Sequence, residues 1–202
     1  MINLLAIIGG YLLGSIPFGL VLTKMAGLGD IREIGSGNIG TTNVLRTGRK
    51  DLALATLVLD SGKGAIAVII FGLITSWETL PMALAGAAAF LGHCYPVWLK
   101  FKGGKGVATF LGTLLALKFW AGLVACGIWL LAAVIFRISS LSALIAAAAL
   151  PLILVLTGHN ILATAVLFMS ALIFIRHREN ITRILNGTEP KIGKKKTEEA
   201  EK

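Results

Sequence analysis

Three short segments gather the residue types that bind anions and move protons. The first is Gly35-Ser-Gly-Asn-Ile-Gly-Thr-Thr-Asn43, followed by Val44, Leu45 and Arg46. It offers the glycines Gly35, Gly37 and Gly40, the hydroxyls Ser36, Thr41 and Thr42, and the amides Asn38 and Asn43. Glycine leaves no Cβ in the way, so successive backbone N–H groups can converge on an anion. Arg46 adds a planar fork matched to phosphate. The second segment is Phe101-Lys-Gly-Gly-Lys-Gly106, running into an apolar stretch. Gly103, Gly104 and Gly106 with Lys105 at a helix start make an anion site, because that end carries unpaired N–H groups and partial positive charge. The third is Arg176-His-Arg-Glu-Asn180. His177 and Asn180 are three apart and share a helix face. Histidine suits general base work near neutral pH, and the Asn amide can orient a hydroxyl or hold an oxyanion. Glu179 points elsewhere, and a structural pairing with an arginine is expected of it.

Other features are weaker. Asp60 and Lys63 are three apart within an apolar run, where a mutual salt bridge is expected. Ser139, Ser140 and Ser142 sit at a short turn; helix capping is their default, with Ser140 a candidate for reaching the site. Gly35, Gly37 and Gly40 formally match G-x-G-x-x-G, but that fingerprint needs a strand before it and a βαβ unit around it. The Walker pattern fails because Gly106 follows Lys105. There is no nucleophile elbow, no Cys–His pair in suitable surroundings and no metal-ligand spacing, so no metal and no cofactor is expected. Cys94 and Cys126 lie in apolar runs and read as free thiols. Such parts bind phosphates and position groups, without a covalent intermediate.

The elements that carry these segments are set by composition. The chain has 202 residues, 56% of them apolar and 14% charged, with mean hydropathy +0.85. An ordinary soluble domain is about 25% charged, and a core of this size cannot hide so much apolar surface. The expected class is an all-α integral membrane protein. Apolar runs at 2–22, 51–75, 79–99, 107–117, 120–136, 141–157 and 160–175 predict about seven transmembrane helices. The run 107–117 is the shortest; if 107–136 forms a re-entrant or kinked pair, the count is five. Lys and Arg favour cytoplasmic loops. With the N-terminus outside and the C-terminus cytoplasmic, 17 of the 19 Lys and Arg fall inside, Lys118 falls outside and Lys63 lies within a span. Residues 1–185 then form one polytopic domain, and 186–202 a basic, mixed-charge cytoplasmic tail expected to be disordered. The net charge of +9 reads as topology plus attraction to anionic membrane lipids. Nucleic-acid binding is not expected, since no basic face interleaved with aromatics is offered.

All three segments thus fall on one side of the membrane. Two phosphate cradles beside lipid suggest a reaction between two phosphorylated molecules, at least one of them greasy. Here the chain resembles a known family. Gly35 to Arg46, Gly92-His-Cys-Tyr-Pro-Val97 with Phe101 to Thr109, and His177-Arg-Glu-Asn180 resemble the three motifs of the bacterial acyl-phosphate:glycerol-3-phosphate acyltransferases (PlsY). Ser15-Ile-Pro-Phe-Gly19 and Leu59-Asp-Ser-Gly-Lys-Gly64 are similar to that family too, so the resemblance spans 1–185. It implies a multi-pass enzyme of the bacterial inner membrane in phospholipid synthesis, its active site on the cytoplasmic side. The implied substrates are acyl phosphate and glycerol 3-phosphate, and the products lysophosphatidic acid and phosphate. It also implies that Ser36 and Arg46 are essential, that the second-motif glycines and Lys105 bind phosphate, that His177 and Asn180 serve activity, and that Glu179 serves structure. A membrane transporter of a phosphate ester is the second reading, since basic loops and broken helices suit transport as well.

Overall fold

In lipid, every backbone N–H and C=O must find a partner within the chain, so apolar runs become helices. The computed structural model describes residues 1–193. Its helices are α1 (Ile2–Gly14), α2 (Phe18–Met25), α3 (Thr41–Val44), α4 (Lys50–Ile74), α5 (Thr79–Cys94), α6 (Val107–Leu117), α7 (Phe119–Phe136), α8 (Ser139–Leu156), α9 (Asn160–Arg176) and α10 (Arg178–Leu185). Short 3-10 turns lie at Ile31–Glu33, Leu45–Thr47 and Val97–Leu99. Among the described residues there is no strand. Lys194, Lys195 and Lys196, with the rest of the expected tail after 193, lie outside the described residues.

Five helical stretches are long and apolar enough to cross a membrane: Ile2–Met25, Lys50–Ile74, Thr79–Leu99, Phe119–Phe136 and Ser139–Leu156. The pair α9 and α10, bent by 61°, makes up to six. The expected seventh differs. The run 107–117 is an 11-residue helix, about 16 Å long at 1.5 Å per residue, against a hydrocarbon core of about 30 Å.

Without water to drive helices together, close association in lipid relies on small residues. Gly10 and Gly14 of α1 lie against the carbonyls of Ala85 and Ala89 on α5, and Gly92 of α5 lies against Tyr11 O. A methyl group at any of the three would strike backbone. Gly64 and Gly112 do the same for α4 and α6, meeting Thr109, Thr113 and Ser61. The larger core lies among α5 to α9 and includes Phe90, Phe110, Leu114, Leu150, Leu154, Val166, Met169 and Ile173, while Ala6, Ala67, Phe71, Ala85 and Ala89 join α1, α4 and α5. Leu54, Leu73, Leu131, Val134 and Leu156 are exposed, as befits a surface solvated by lipid.

The first span is broken between α1 and α2, where Pro17 supplies no N–H. At the break the Ile16 carbonyl accepts from Phe18 N at 3.1 Å and from Lys63 Nζ at 2.9 Å. Lys63 also pairs with Asp60 Oδ1 at 2.9 Å, the expected salt bridge, and meets His93 Nδ1 at 2.8 Å. All three side chains are buried. The two ends of the bundle are distinct. Trp77, Thr79, Leu117, Lys118, His159 and Asn160 line a cleft at one end. The second and third motifs meet at the other.

Candidate active site

The first motif folds around Asn43. Its Nδ2 donates to Ile31 O (2.9 Å), Ile34 O (2.9 Å) and Asn38 O (2.8 Å). Its Oδ1 accepts from Ser36 N at 3.0 Å and Ser36 Oγ at 3.3 Å. The buried Asn43 amide is therefore spent on holding the loop. Gly35 and Gly37 adopt left-handed φ of 59° and 67°, which only glycine takes without strain. A Cβ at Gly35 would also press on Asn43 Oδ1 and Arg46 Cδ. Ile31, Ile39 and Val44 anchor the loop on Leu20 and Ala53. Ser36, Thr42 and Arg46 stay exposed, and Gly40 caps α3. Asn38 Oδ1 and Thr41 Oγ1 are buried atoms with no hydrogen bond among the described residues. Such atoms need a partner: the Thr41 hydroxyl can donate to an anion, and the Asn38 amide oxygen can accept from a hydroxyl.

The second motif is a loop wedged onto the end of α5. Gly103 N donates to Cys94 O at 3.1 Å and Gly104 N to His93 O at 3.0 Å. Those two amides are therefore unavailable to an anion, contrary to the expectation of a free glycine cradle. What the glycines provide is closeness: a Cβ on Gly104 would fall on the His93 ring, and one on Gly103 on Pro96 and His93 O. Gly106, with φ 84°, caps α6 against the Phe90 ring. Arg176 closes the loop from α9, donating from Nε to Gly104 O (3.0 Å) and from Nη2 to Gly103 O (2.7 Å). Its guanidinium lies 5.2 Å from the Tyr95 ring centroid, a cation–π contact.

This clamp aims Lys105 at the third motif. Lys105 Nζ donates to Asn180 Oδ1. Burial, reinforced by Arg183, holds the Lys105 pKa below the ordinary lysine range. Asn180 Nδ2 donates to Glu189 Oε1 at 2.5 Å, Ser140 Oγ donates to the same oxygen at 2.6 Å, and Arg183 Nε donates to Glu189 Oε2 at 2.7 Å. His177 sits where α9 ends, 3% exposed. Its Nδ1 is 2.8 Å from Ile173 O. A carbonyl only accepts, so Nδ1 carries the proton and Nε2 keeps its lone pair. Burial first, and then the charge of Lys105, push its pKa down to about 4.

The structure thus brings together Lys105, Ser140, His177 and Asn180. The first motif stands apart: among the described residues no hydrogen bond or ion pair joins 35–46 to those four. Glu179 is exposed and makes no ion pair among the described residues, unlike the pairing expected of it, because the bend at His177 turns it outward. Asp60 and Lys63 lie behind the second loop, linked to it through His93. Sequence reasoning missed three participants. Arg176 received no role from the motif, yet it ties down a loop. Glu189 was set aside in the tail; its signal was an acid in a basic segment. The partnership of His93 with Lys63 had no signal, since the residues lie on different helices.

The glycerol-3-phosphate acyltransferase family model matches residues 4–187. The chain is 60% identical over 196 residues to the glycerol-3-phosphate acyltransferase of Caulobacter vibrioides (strain NA1000 / CB15N), covering 96% of this chain and 90% of that one. It is 60% identical over 196 residues to that of Dinoroseobacter shibae, covering 96% of each. Among solved structures it is similar to PlsY (YgiH), an integral membrane glycerol 3-phosphate acyltransferase, in its glycerol 3-phosphate form. The TM-score is 0.87 and the identity 40%, over 95% of this chain and 96% of that one. The lysophosphatidic acid form matches with TM-score 0.85 and 39% identity, over 95% of each chain. A family model spanning most of the sequence, relatives of high identity and a shared helical architecture agree: the chain belongs to the glycerol-3-phosphate acyltransferase family.

Proposed function

We propose that this protein transfers the acyl group of an acyl phosphate to the primary hydroxyl of glycerol 3-phosphate. The observation that carries this reading is the cluster of Lys105, Asn180, Ser140 and His177 at one end of the bundle, where cations and neutral donors converge. An acyl phosphate is already activated, so no Ser or Cys nucleophile is needed. The hydroxyl oxygen attacks the acyl carbonyl. The new ester C–O bond forms as the C–O bond to phosphate breaks, giving 1-acyl-glycerol 3-phosphate and inorganic phosphate. Lys105 and Arg46 neutralise phosphate charge, the Ser36 and Thr41 hydroxyls donate hydrogen bonds to it, and the Asn38 amide oxygen accepts from a substrate hydroxyl. Asn180 and the Nε2 of His177 orient the hydroxyl. A phosphate oxygen of a substrate takes the hydroxyl proton, and His177, its Nδ1 held at Ile173 O, positions the hydroxyl.

We place the site on the cytoplasmic side, with the N-terminus outside and seven passes. Two features support this. Lys and Arg crowd the loops at the site's end. And α6 starts beside Phe90, well inside the end of the Thr79–Leu99 span, and finishes beside Thr79 at the far end. A loop that dips inward lets a short helix complete a crossing.

The test is purified protein in detergent with acyl phosphate and glycerol 3-phosphate. Phosphate release that requires both substrates is expected. No release, with phosphate-ester uptake by protein-loaded vesicles, refutes acyl transfer in favour of transport. His177→Ala is expected to keep residual activity with an unchanged pH–rate profile; loss of one limb would make His177 the base.

A further inference from the structure

The chain after α10 turns back over the site. Gly187, at φ 70°, reverses its direction, and Thr188 N donates to Arg183 O at 2.8 Å. Further on, Ile192 N donates to Arg137 O at 2.6 Å, and Arg137 Nη2 donates to Ile192 O at 3.1 Å. The segment is thus a strap fastened at both ends, from α10 to the turn between α7 and α8. Glu189 lies midway along it, its side chain 7% exposed. Its two carboxylate oxygens collect Ser140 Oγ, Asn180 Nδ2 and Arg183 Nε. Burial pushes its pKa up, but those three donors outweigh burial and hold it below the usual carboxylate range. The carboxylate is therefore an anion at neutral pH.

Two of these three donors, Ser140 and Asn180, belong to the Lys105 cluster that carries the acyl-transfer reading, Asn180 being the group that orients the glycerol 3-phosphate hydroxyl, and the third is a cation beside them. A buried carboxylate and a phosphate use the same kind of donors. One donor proton cannot serve both. Glu189 also stands two residues beyond the stretch matched by the family model.

The geometry points to Glu189 as a resident anion that glycerol 3-phosphate must displace from Ser140, Asn180 and Arg183, so that it tunes the affinity of the site for its anionic substrate. This rests on the acyl-transfer reading. Displacement also loosens the middle of the strap, because among the described residues the Glu189 carboxylate is what ties it to Ser140 and Asn180.

Full-length Glu189→Gln and wild type are compared in detergent at saturating acyl phosphate. Losing one charge-assisted competitor is expected to lower KM for glycerol 3-phosphate by about tenfold. A KM that is unchanged or higher overturns the proposal. So does a fall in kcat at constant KM, which would place Glu189 in the chemical step. Hydrogen exchange across 186–193 in wild type supplies a second readout. It is expected to quicken when glycerol 3-phosphate or inorganic phosphate is added, and unchanged or slower exchange overturns displacement. Calorimetry with inorganic phosphate alone separates the two readings. Tighter binding by Glu189→Gln upholds displacement even if no acyl transfer occurs, and weaker binding overturns it even if transfer does.

Discussion

Replacing Gly104 by alanine tests whether the second loop is held by contact with His93. An alanine Cβ there would stand 2.9 Å from His93 Cε1 and 3.1 Å from Cδ2, with Nε2 nearer still. Ordinary contact begins at about 3.4 Å, so one side must yield by about 1 Å. His93 cannot: it is 4% exposed, and its Nδ1 is held 2.8 Å from Lys63 Nζ. The loop must move instead, straining Gly104 N to His93 O and Arg176 Nε to Gly104 O, both 3.0 Å. Lys105 is the next residue and moves with it. A displacement of about 1 Å in a positioning group costs roughly 100-fold in rate, or about 2.7 kcal/mol. Overpacking removes about 1–3 kcal/mol of stability. The assay is acyl-phosphate-dependent phosphate release, with thermal unfolding in detergent alongside. Gly127→Ala is the control, since nothing lies within 4 Å of its Cβ position on α7; helix propensity there favours alanine by about 0.5–1 kcal/mol. A folded Gly104→Ala protein within twofold of wild-type kcat/KM would refute the reasoning, as would an equal loss in Gly127→Ala.

Lys63→Met leaves the buried Asp60 with only the more distant His93, at 3.7 Å, and takes from Ile16 O one of its two donors. A loss of about 3–5 kcal/mol is expected, read by thermal unfolding, with partial recovery when Asp60→Asn is added. Arg176→Lys keeps the charge but loses the two-pronged grip on Gly103 and Gly104; about a tenfold drop in kcat is expected, the protein remaining folded by circular dichroism. His177 gives a pH signature. Its folded pKa of about 4 lies below the ordinary 6.5, so between those values the native state binds fewer protons than the unfolded one. Stability is full above about 6.5 and falls as pH descends towards 4, by up to roughly 3 kcal/mol. Unfolding temperatures followed across that window should show the slope in wild type and a smaller one in His177→Gln.

Much of this was legible in the residues because it is local. A run of apolar residues in lipid has few options besides a helix, so α4, α5, α7, α8 and α9 follow from composition alone. The Asp60–Lys63 bridge follows from a spacing of three on one helix. Failures came where a loop or a bend, rather than one continuous helix, decides the partner. Gly103 and Gly104 read as an amide cradle because their carbonyl partners, Cys94 and His93, return to them only through a loop with left-handed residues at Lys100 and Phe101. Glu179 read as a structural pair because the bend at His177 cannot be inferred from a motif without proline or glycine.

By itself, then, the sequence determined a helical membrane protein, the crowding of Lys and Arg into a few loops, and the three segments rich in anion-binding groups. Hydropathy and charge act residue by residue, and spacing acts within a turn or two. The tertiary structure decided which of those groups meet. It brought Lys105 to Asn180 across 75 positions and Arg176 to the glycine loop across 72. It set Lys63 against the broken first helix and drew Glu189 into the site. Those contacts depend on how helices pack and where loops turn, and packing is a property of the whole chain.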